Sequence, residues 1–175
     1  MPSLDDEELK YAVDYIFDNA EHPDRVFVGI SLIAKKRKSF KDIKSITSKH
    51  KNVRAITHKQ KFNDLSTLGV GFNRKKAEEL YSGQDYFLQV DAHSFFETAW
   101  DTRVIDLFKE AVDEVGDDNI VLTCIPPIYG YTKEEKVVAT GPKTRYPQYV
   151  VSELFVQSVP KWADIDVQEV SQKKF

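Results

Sequence analysis

The sequence is poor in cysteine and contains no long apolar run. Cys124 is its only cysteine, so the 175-residue chain cannot form an internal disulfide. Because this cysteine lies in the apolar run 120–125, we expect a buried strand thiol. No stretch approaches the roughly 18 to 20 apolar residues that a membrane-spanning helix requires, and the amino-terminal residues are acidic, unlike a signal peptide. These features predict a cytoplasmic protein with no membrane partner.

An excess of charge of one sign is also missing. Lysine and arginine number 25 against 28 acidic residues, a net charge of −3, so no general attraction to nucleic acid is expected. The one basic cluster, residues 35–38, is interpreted as a solvated loop without a function. No Gly-x-Ser-x-Gly motif occurs, which argues against Ser-His-Asp hydrolysis. The length and the 41% hydrophobic content suit one domain, residues 1–175.

Strand and helix patterns alternate along the chain. This alternation predicts an α/β fold, with helices on both faces of a mainly parallel central sheet. Apolar runs predict sheet strands near residues 26–32, 53–57, 86–91 and 120–125, and later strands at 137–140 and 148–159. Helical spacing predicts helices near 5–19, after Gly69 to residue 81 and over 100–115, the last ended by Gly116, with a short helix or irregular connection at 39–50.

The most informative stretch is the predicted buried strand at residues 86–90, which is followed by Asp91 and His93. Ligands collect beyond the carboxyl ends of strands in α/β sheets, and an Asp-x-His pair presents its two side chains on one side. Such a pair can hold a divalent metal. A helix-capping aspartate beside a packed or solvated histidine is the alternative that the three residues leave open.

The helix predicted before this strand carries Arg74. The residues Gly69-Val70-Gly71 at its start are similar to a glycine-rich phosphate loop but lack a complete dinucleotide fingerprint. Helical spacing places Arg74 on the same face as Val70 and Ala77. From the pattern alone, Arg74 is either a residue at the edge of the core or a ligand for an anion.

Two segments carry a resemblance to a known family. Residues 80–93, with Phe96 and Trp100-Asp101 behind them, resemble the core of the GlcNAc-type glycosyltransferases related to the Skp1-hydroxyproline GlcNAc-transferase. In that family, a helix ending in Leu-Tyr-x-Gly precedes a strand ending in Asp-Ser-His and then a Trp-Asp pair. Residues 122–129 resemble the strand of the same family that ends in Tyr-Pro-Pro-x-Tyr.

The resemblance implies an A-type glycosyltransferase fold, which is Rossmann-like, and a role for each matching residue. It implies that Asp91 and His93 bind Mn²⁺ or Mg²⁺ and that Arg74 contacts the phosphates of a UDP-sugar donor. Gln89 and Asp91 would belong to the donor site, with Asp101 as a support. The implied reaction transfers a sugar, GlcNAc, to a hydroxyl group of a protein or glycan acceptor.

The resemblance leaves out two parts of the family pattern. The family begins with a strand similar to Ile-Ala-Ser-Tyr-Arg-Asp, of which only the end could match here, and its acceptor half is largely absent after about Ser158. We expect residues 1–130 to form a donor-binding half and 131–175 a partial acceptor side. We further expect weak donor binding, little transfer by the isolated chain, and a sheet edge open to a second copy or a partner chain. A non-catalytic or split binding module, and an unrelated α/β domain, remain as alternatives.

Overall fold

The computed structural model describes residues 1–59, 69–123, 129–131, 137–139 and 148–151, the last three segments by their backbone. The chain forms two compact units, Met1–Thr102 and Arg103–Phe175. In chain order, the elements are β1 (Pro2–Leu4), α1 (Leu9–Asp18), a 3-10 turn (Pro23–Arg25), β2 (Val28–Ala34), α2 (Arg37–Lys49), β3 (Val53–Lys59), α3 (Val70–Glu78), α4 (Trp100–Val115), β4 (Ile120–Thr123), β5 (Tyr129–Tyr131), β6 (Val137–Ala139) and β7 (Gln148–Val151).

The first unit contains a parallel sheet of three strands in the order β1-β2-β3. Pro2 pairs with Ser31, and Val28 pairs with Val53. Each strand follows its neighbour through a helix, which is the connection that parallel strands require. The predicted α/β class with a parallel sheet flanked by helices is confirmed, and the uncertain segment at 39–50 is a helix.

The main core lies between one face of this sheet and the helices α1 and α2. Apolar residues recur in α1 at the spacing of a single helix face, and alternate residues of β2 point toward that face. The buried residues that these three elements contribute are Leu9, Ala12, Val13, Ile16, Val28, Ile30, Leu32, Ala34, Ile43 and Ile46.

Helix α3 packs on the opposite face of the sheet, close to Gly29. A Cβ atom at Gly29 would lie 3.0 Å from Cβ of Leu80 and 3.2 Å from the carbonyl oxygen of Ala77. Glycine is therefore needed at this point for the close approach of helix and strand. The buried residues of α3 are Asn73 and Ala77, whereas Val70 and Tyr81 are exposed. The prediction of one apolar face that includes both Val70 and Tyr81 was therefore wrong. The helix is largely polar, and it ends before Tyr81.

The predicted buried strand at residues 86–90 is absent. This segment belongs to no strand, and Tyr86, Phe87 and Leu88 are exposed. Its natural neighbour would be β1, which is three residues long. Met1 and Asp5 form backbone hydrogen bonds to β2. Alternate residues of a parallel strand bond to opposite sides, so Pro2 and Leu4 present their backbone groups to the outer edge of β1. Pro2 has no N–H group to donate there, so the edge offers little for a fourth strand to pair with.

In the second unit, α4 ends where the sequence predicted. Gly116 has φ +74°, and its N–H donates to the carbonyl oxygen of Val112, which is a glycine-terminated helix end. Strand β4 pairs antiparallel with β7, and β5 pairs antiparallel with β6. The prediction that residues 120–125 join the parallel sheet was therefore wrong for β4. Cys124 and residues 152–175, including the rest of the strand predicted at 148–159, lie outside the described residues.

Candidate functional site

Two clefts border β1 within the first unit. The cleft at the carboxyl end of the sheet, about 240 Å³ in volume, is lined by Ser3, Leu4 and Ile33 and by the side chains that follow the strands. We call it the carboxyl-end cleft. The second, about 150 Å³, lies at the amino ends of the strands beside Met1, Gly29 and Asn52, and we call it the amino-end cleft. Ligands of open α/β sheets bind at carboxyl ends, so the carboxyl-end cleft is the candidate site.

Asp91 and His93 both line the carboxyl-end cleft. Between them, Ala92 is buried in the core at 2% exposure and holds the segment against the sheet. The side chains of Asp91 and His93 are 52% and 58% exposed, so both are accessible to a ligand. The backbone turns immediately afterward, where the N–H of Ser94 donates to the carbonyl oxygen of Asp91.

His93 is held by Asp6, a residue that the sequence did not indicate as part of the site. Nδ1 of His93 lies 3.0 Å from Oδ2 of Asp6, although the two residues are 87 positions apart. Oδ1 of the same carboxylate accepts the N–H of Glu8 at 2.9 Å, just before α1. The signal in the sequence was only that acidic residues follow the first strand.

Arg74 extends from α3 to Asp91, although it is not among the residues that line the carboxyl-end cleft. Its Nη2 atom lies 3.7 Å from Oδ1 of Asp91, a loose ion pair between half-exposed side chains. Its Nε atom is buried and has no hydrogen-bond partner. The structure thus brings Arg74 next to Asp91 and leaves part of its guanidinium group unsatisfied.

The first turn of α3 also faces the carboxyl-end cleft. Gly69, Val70 and Asn73 line it, and a Cβ atom at Gly69 or Gly71 would have no atom within 4 Å. Asn73 is 4% exposed and donates from Nδ2 to the carbonyl oxygen of Ser3, while its Oδ1 atom has no partner. The first N–H groups of a helix carry a partial positive charge, so this turn favours an anion at its own end of the cleft, whereas the carboxylates of Asp6 and Asp91 line the same cleft with negative charge.

Two other predicted residues lie apart from this group. Gln89 lines the amino-end cleft, where Arg74 also contributes to the wall. Asp101 is buried, and its two oxygen atoms accept the N–H groups of Glu21 and His22 at 2.8 and 2.9 Å. Burial alone would raise the pKa of Asp101, but these backbone donors outweigh it, and the pKa is lowered. Asp101 therefore closes the turn after α1.

The donor set fits a divalent metal only together with a ligand. Among the residues that the structure describes, no group of three or more His, Cys, Asp or Glu side chains is arranged to hold a metal ion. Asp91 and His93 supply one oxygen and one nitrogen atom, and Mg²⁺ sites are commonly completed by phosphate oxygens and water. The unsatisfied Nε atom of Arg74 beside this pair suits an added phosphate group. The residues present thus fit a metal bound jointly with a phosphate-bearing ligand.

The fold is an α/β domain, and a cleft lined by Asp91 and His93 lies at the carboxyl end of its parallel sheet. A family model described as Glycosyltransferase (GlcNAc) matches residues 34–157, more than two thirds of the chain. The chain therefore belongs to this glycosyltransferase family, which supports a glycosyltransferase-like role. No curated protein and no solved structure matches the chain. Within the described part of the chain, no helix combines the length and the apolar character that a membrane crossing requires.

Proposed function

We propose that this protein transfers GlcNAc from a UDP-sugar to a hydroxyl group of a protein or glycan acceptor, with Mn²⁺ or Mg²⁺ bound by Asp91 and His93. The observation that carries the proposal is that Asp91 and His93 line one cleft at the carboxyl end of the sheet, while Nη2 of Arg74 lies 3.7 Å from Oδ1 of Asp91. All three residues lie inside the range that the family model matches. When bound, the metal supplies Lewis-acid stabilisation of the charge that develops on the departing diphosphate.

Each candidate residue makes a different contact with the donor. Asp91 and His93 each provide one metal ligand from the same side of the segment. Arg74 exchanges its loose 3.7 Å contact with Asp91 for the diphosphate. Phosphate oxygen atoms accept two parallel N–H bonds from one guanidinium group, and the half-exposed carboxylate of Asp91 does not do so at that distance. The first turn of α3 adds backbone N–H groups toward the same charge. Gln89 contributes from the adjoining amino-end cleft.

A second candidate function is a nucleotide-sugar binding or interaction module without transfer of its own. The exposed side chains of Tyr86, Phe87 and Leu88 favour it, because neighbouring apolar side chains at the surface suit contact with another chain. Transfer requires that water be excluded from the reacting carbon. In this reading, a second copy or a partner chain completes the domain.

Calorimetric titration with UDP-GlcNAc, with and without Mn²⁺, tests the proposal. We expect binding that depends on the metal and that weakens at least tenfold in Asp91→Asn and His93→Ala, since each removes one ligand. Arg74→Ala should weaken binding of the metal complex and of uridine diphosphate alike. Asp106→Asn is the matched control, because this carboxylate on α4 is exposed and is not among the residues that line the cleft. Equal affinity of wild type and Asp91→Asn would contradict the proposal.

Release of uridine diphosphate separates the two candidate functions. Metal-dependent release together with sugar transfer to an added acceptor supports the transferase, while metal-dependent binding without either supports the module. Light scattering in the same buffer gives the oligomeric state. We expect slow or absent turnover by the monomer, well below the typical enzyme rates of about 1 s⁻¹ and above.

A further inference from the structure

The orientation of the His93 ring is set by a carboxylate that lines the same cleft. Its Nδ1 atom lies 3.0 Å from Oδ2 of Asp6, so this edge of the ring is occupied by a carboxylate. The Nε2 atom is on the far edge of the same ring. His93 and Asp6 both line the carboxyl-end cleft.

We propose that Asp6 is a positioning residue that holds His93 in the tautomer with hydrogen on Nδ1 and so leaves the lone pair on Nε2 for a ligand. A carboxylate can only accept a hydrogen bond, so the neutral ring must donate its single N–H from Nδ1. The other nitrogen atom then carries the lone pair that binds a metal. The inference rests on the proposed function for its consequence, but the state of the ring can be tested without any ligand.

The carboxylate of Asp6 is itself fixed. Its Oδ1 atom accepts the N–H of Glu8 at 2.9 Å, and its side chain is only 22% exposed. One oxygen atom therefore accepts a hydrogen bond within the turn that leads into α1, and the other oxygen atom contacts His93. A histidine ligand whose second nitrogen donates to a carboxylate is both oriented and made more basic, and loss of such a partner typically weakens metal binding 10- to 100-fold.

The neighbouring Asp5 has a different role, which shows that the assignment is specific to Asp6. The carboxylate of Asp5 accepts hydrogen bonds from the N–H groups of Lys35 and Lys36 and from Oγ of Ser39, at the start of α2. Asp5 also adopts φ +47°, and this turn of the backbone separates its side chain from that of Asp6. Two adjacent acids thus serve two elements, and only the second one reaches the cleft.

Nitrogen NMR of the histidine rings tests the proposal directly. The spectra are recorded about two pH units above the ordinary histidine pKa of about 6.5, because the spectrum of a neutral ring shows which of its two nitrogen atoms carries the hydrogen. We expect His93 in wild type to be mainly in the form with hydrogen on Nδ1. Asp6→Ser keeps a side-chain oxygen for the N–H of Glu8 but is too short to reach the ring, so its His93 should shift toward the form with hydrogen on Nε2.

The signals of His22, His50 and His58 serve as internal controls for folding. They should be unchanged in Asp6→Ser if the substitution acts only at His93. If Asp6→Ser fails to fold, the wild-type spectrum alone still decides: a His93 ring with hydrogen on Nε2 would overturn the proposal. A tautomer that stays the same in a folded Asp6→Ser would overturn it as well.

Titration of the same variants with Mn²⁺ and uridine diphosphate measures the consequence. We expect Asp6→Ser to bind the metal complex 10- to 100-fold more weakly than wild type, with unchanged binding of uridine diphosphate alone. An unchanged metal affinity despite a shifted tautomer would end the positioning role and leave the proposed function standing. If wild type binds no metal complex, the proposed function fails, while the tautomer still decides what Asp6 does.

Discussion

Asp91 and Asp101 are two carboxylates that the same sequence resemblance singles out, and the structure gives them opposite surroundings. Asp101 is 8% exposed, and both of its oxygen atoms accept backbone N–H groups. Asp91 is half exposed, and its one ion pair is loose at 3.7 Å. A buried polar group must be paired to be tolerated, whereas an accessible and weakly paired one is available to a ligand. The first carboxylate holds the fold, and the second is placed to bind.

The same contrast extends to the regions around them. Next to Asp101, the indole N–H of Trp100 donates to the carbonyl oxygen of Ile16 at 2.8 Å, and the N–H of Ala99 donates to that of Asn19. Around Asp91, by contrast, buried atoms of Arg74 and Asn73 lack partners. We call residues 99–101, together with the end of α1, the anchor. We call residues 69–74 and 91–93 the cleft region. Variants should separate them by affecting stability in one and ligand binding in the other.

The largest loss of stability is expected for Trp100→Ala. The ring packs against the core and lies with its centroid 4.6 Å from that of Phe96, and its N–H ties the start of α4 to α1. Truncating a packed tryptophan typically costs about 3 to 5 kcal/mol. Denaturant unfolding followed by circular dichroism measures this change. A loss below about 1 kcal/mol would show that the anchor is not a stabilising contact.

Asp101→Ala should follow, with a loss of about 3 kcal/mol. The substitution leaves the N–H groups of Glu21 and His22 without their charged acceptor, and hydrogen bonds to charged groups contribute roughly 1.5 to 3 kcal/mol each, though not additively. Asp106→Ala, on the exposed side of the same helix, is the control and should change stability by less than about 0.5 kcal/mol. Similar losses in both variants would implicate the helix rather than the turn.

Asp14→Asn tests a charge-paired contact between α1 and α2. The carboxylate of Asp14 is within 2.7 Å of the amino groups of Lys10 and Lys49 and within 3.0 Å of Nε2 of His50. Burial would raise the pKa of Asp14, but hydrogen bonds from His50, Lys10 and Lys49 outweigh it and hold the pKa well below its usual value of about 3.8. We expect a loss of about 2 kcal/mol at neutral pH.

The pH dependence of this loss has a defined sign. A carboxyl group with a lowered pKa in the folded state stabilises the fold above its ordinary pKa of about 3.8 and loses that contribution as the pH falls below it. The stability difference between wild type and Asp14→Asn should therefore be constant near neutrality and shrink on acidification. Thermal unfolding from pH 7 down to the limit of solubility measures it, with the exposed Asp18→Asn as control. A difference that grows with acid would contradict the assignment.

The sequence predicted most accurately those elements whose limits depend only on their own residues. Helix α4 carries a strong apolar spacing and a terminal glycine, and both ends were correct. The strand at residues 86–90 was wrong, because β-forming side chains say nothing about whether a neighbouring strand can pair. That neighbour is β1, whose outer edge carries Pro2. Pairing is a property of two segments, and the prediction had considered one.

The candidate site shows the same limit. Asp91, His93 and Arg74 were predicted because they lie within 20 residues of one another, in a segment with a recognisable pattern. Asp6 was missed because it meets His93 only through the fold, across 87 positions. Asp101 was taken as a possible support of the site, and its hydrogen bonds to Glu21 and His22 became visible only once the end of α1 was placed. Contacts of high sequence separation leave little trace in one sequence.

The smallest effect on stability is expected for Asp91→Asn, and this variant sharpens the comparison most. A half-exposed ion pair at 3.7 Å contributes about 0 to 1 kcal/mol, so unfolding should change by less than about 0.5 kcal/mol. Asp101→Asn should do the reverse, losing stability while a folded fraction still binds. When unfolding and Mn²⁺-dependent nucleotide binding are both measured, we expect Asp91→Asn to lose binding but not stability. We expect Asp101→Asn to lose stability but not binding. A large loss of stability in Asp91→Asn would place this residue in the anchor after all.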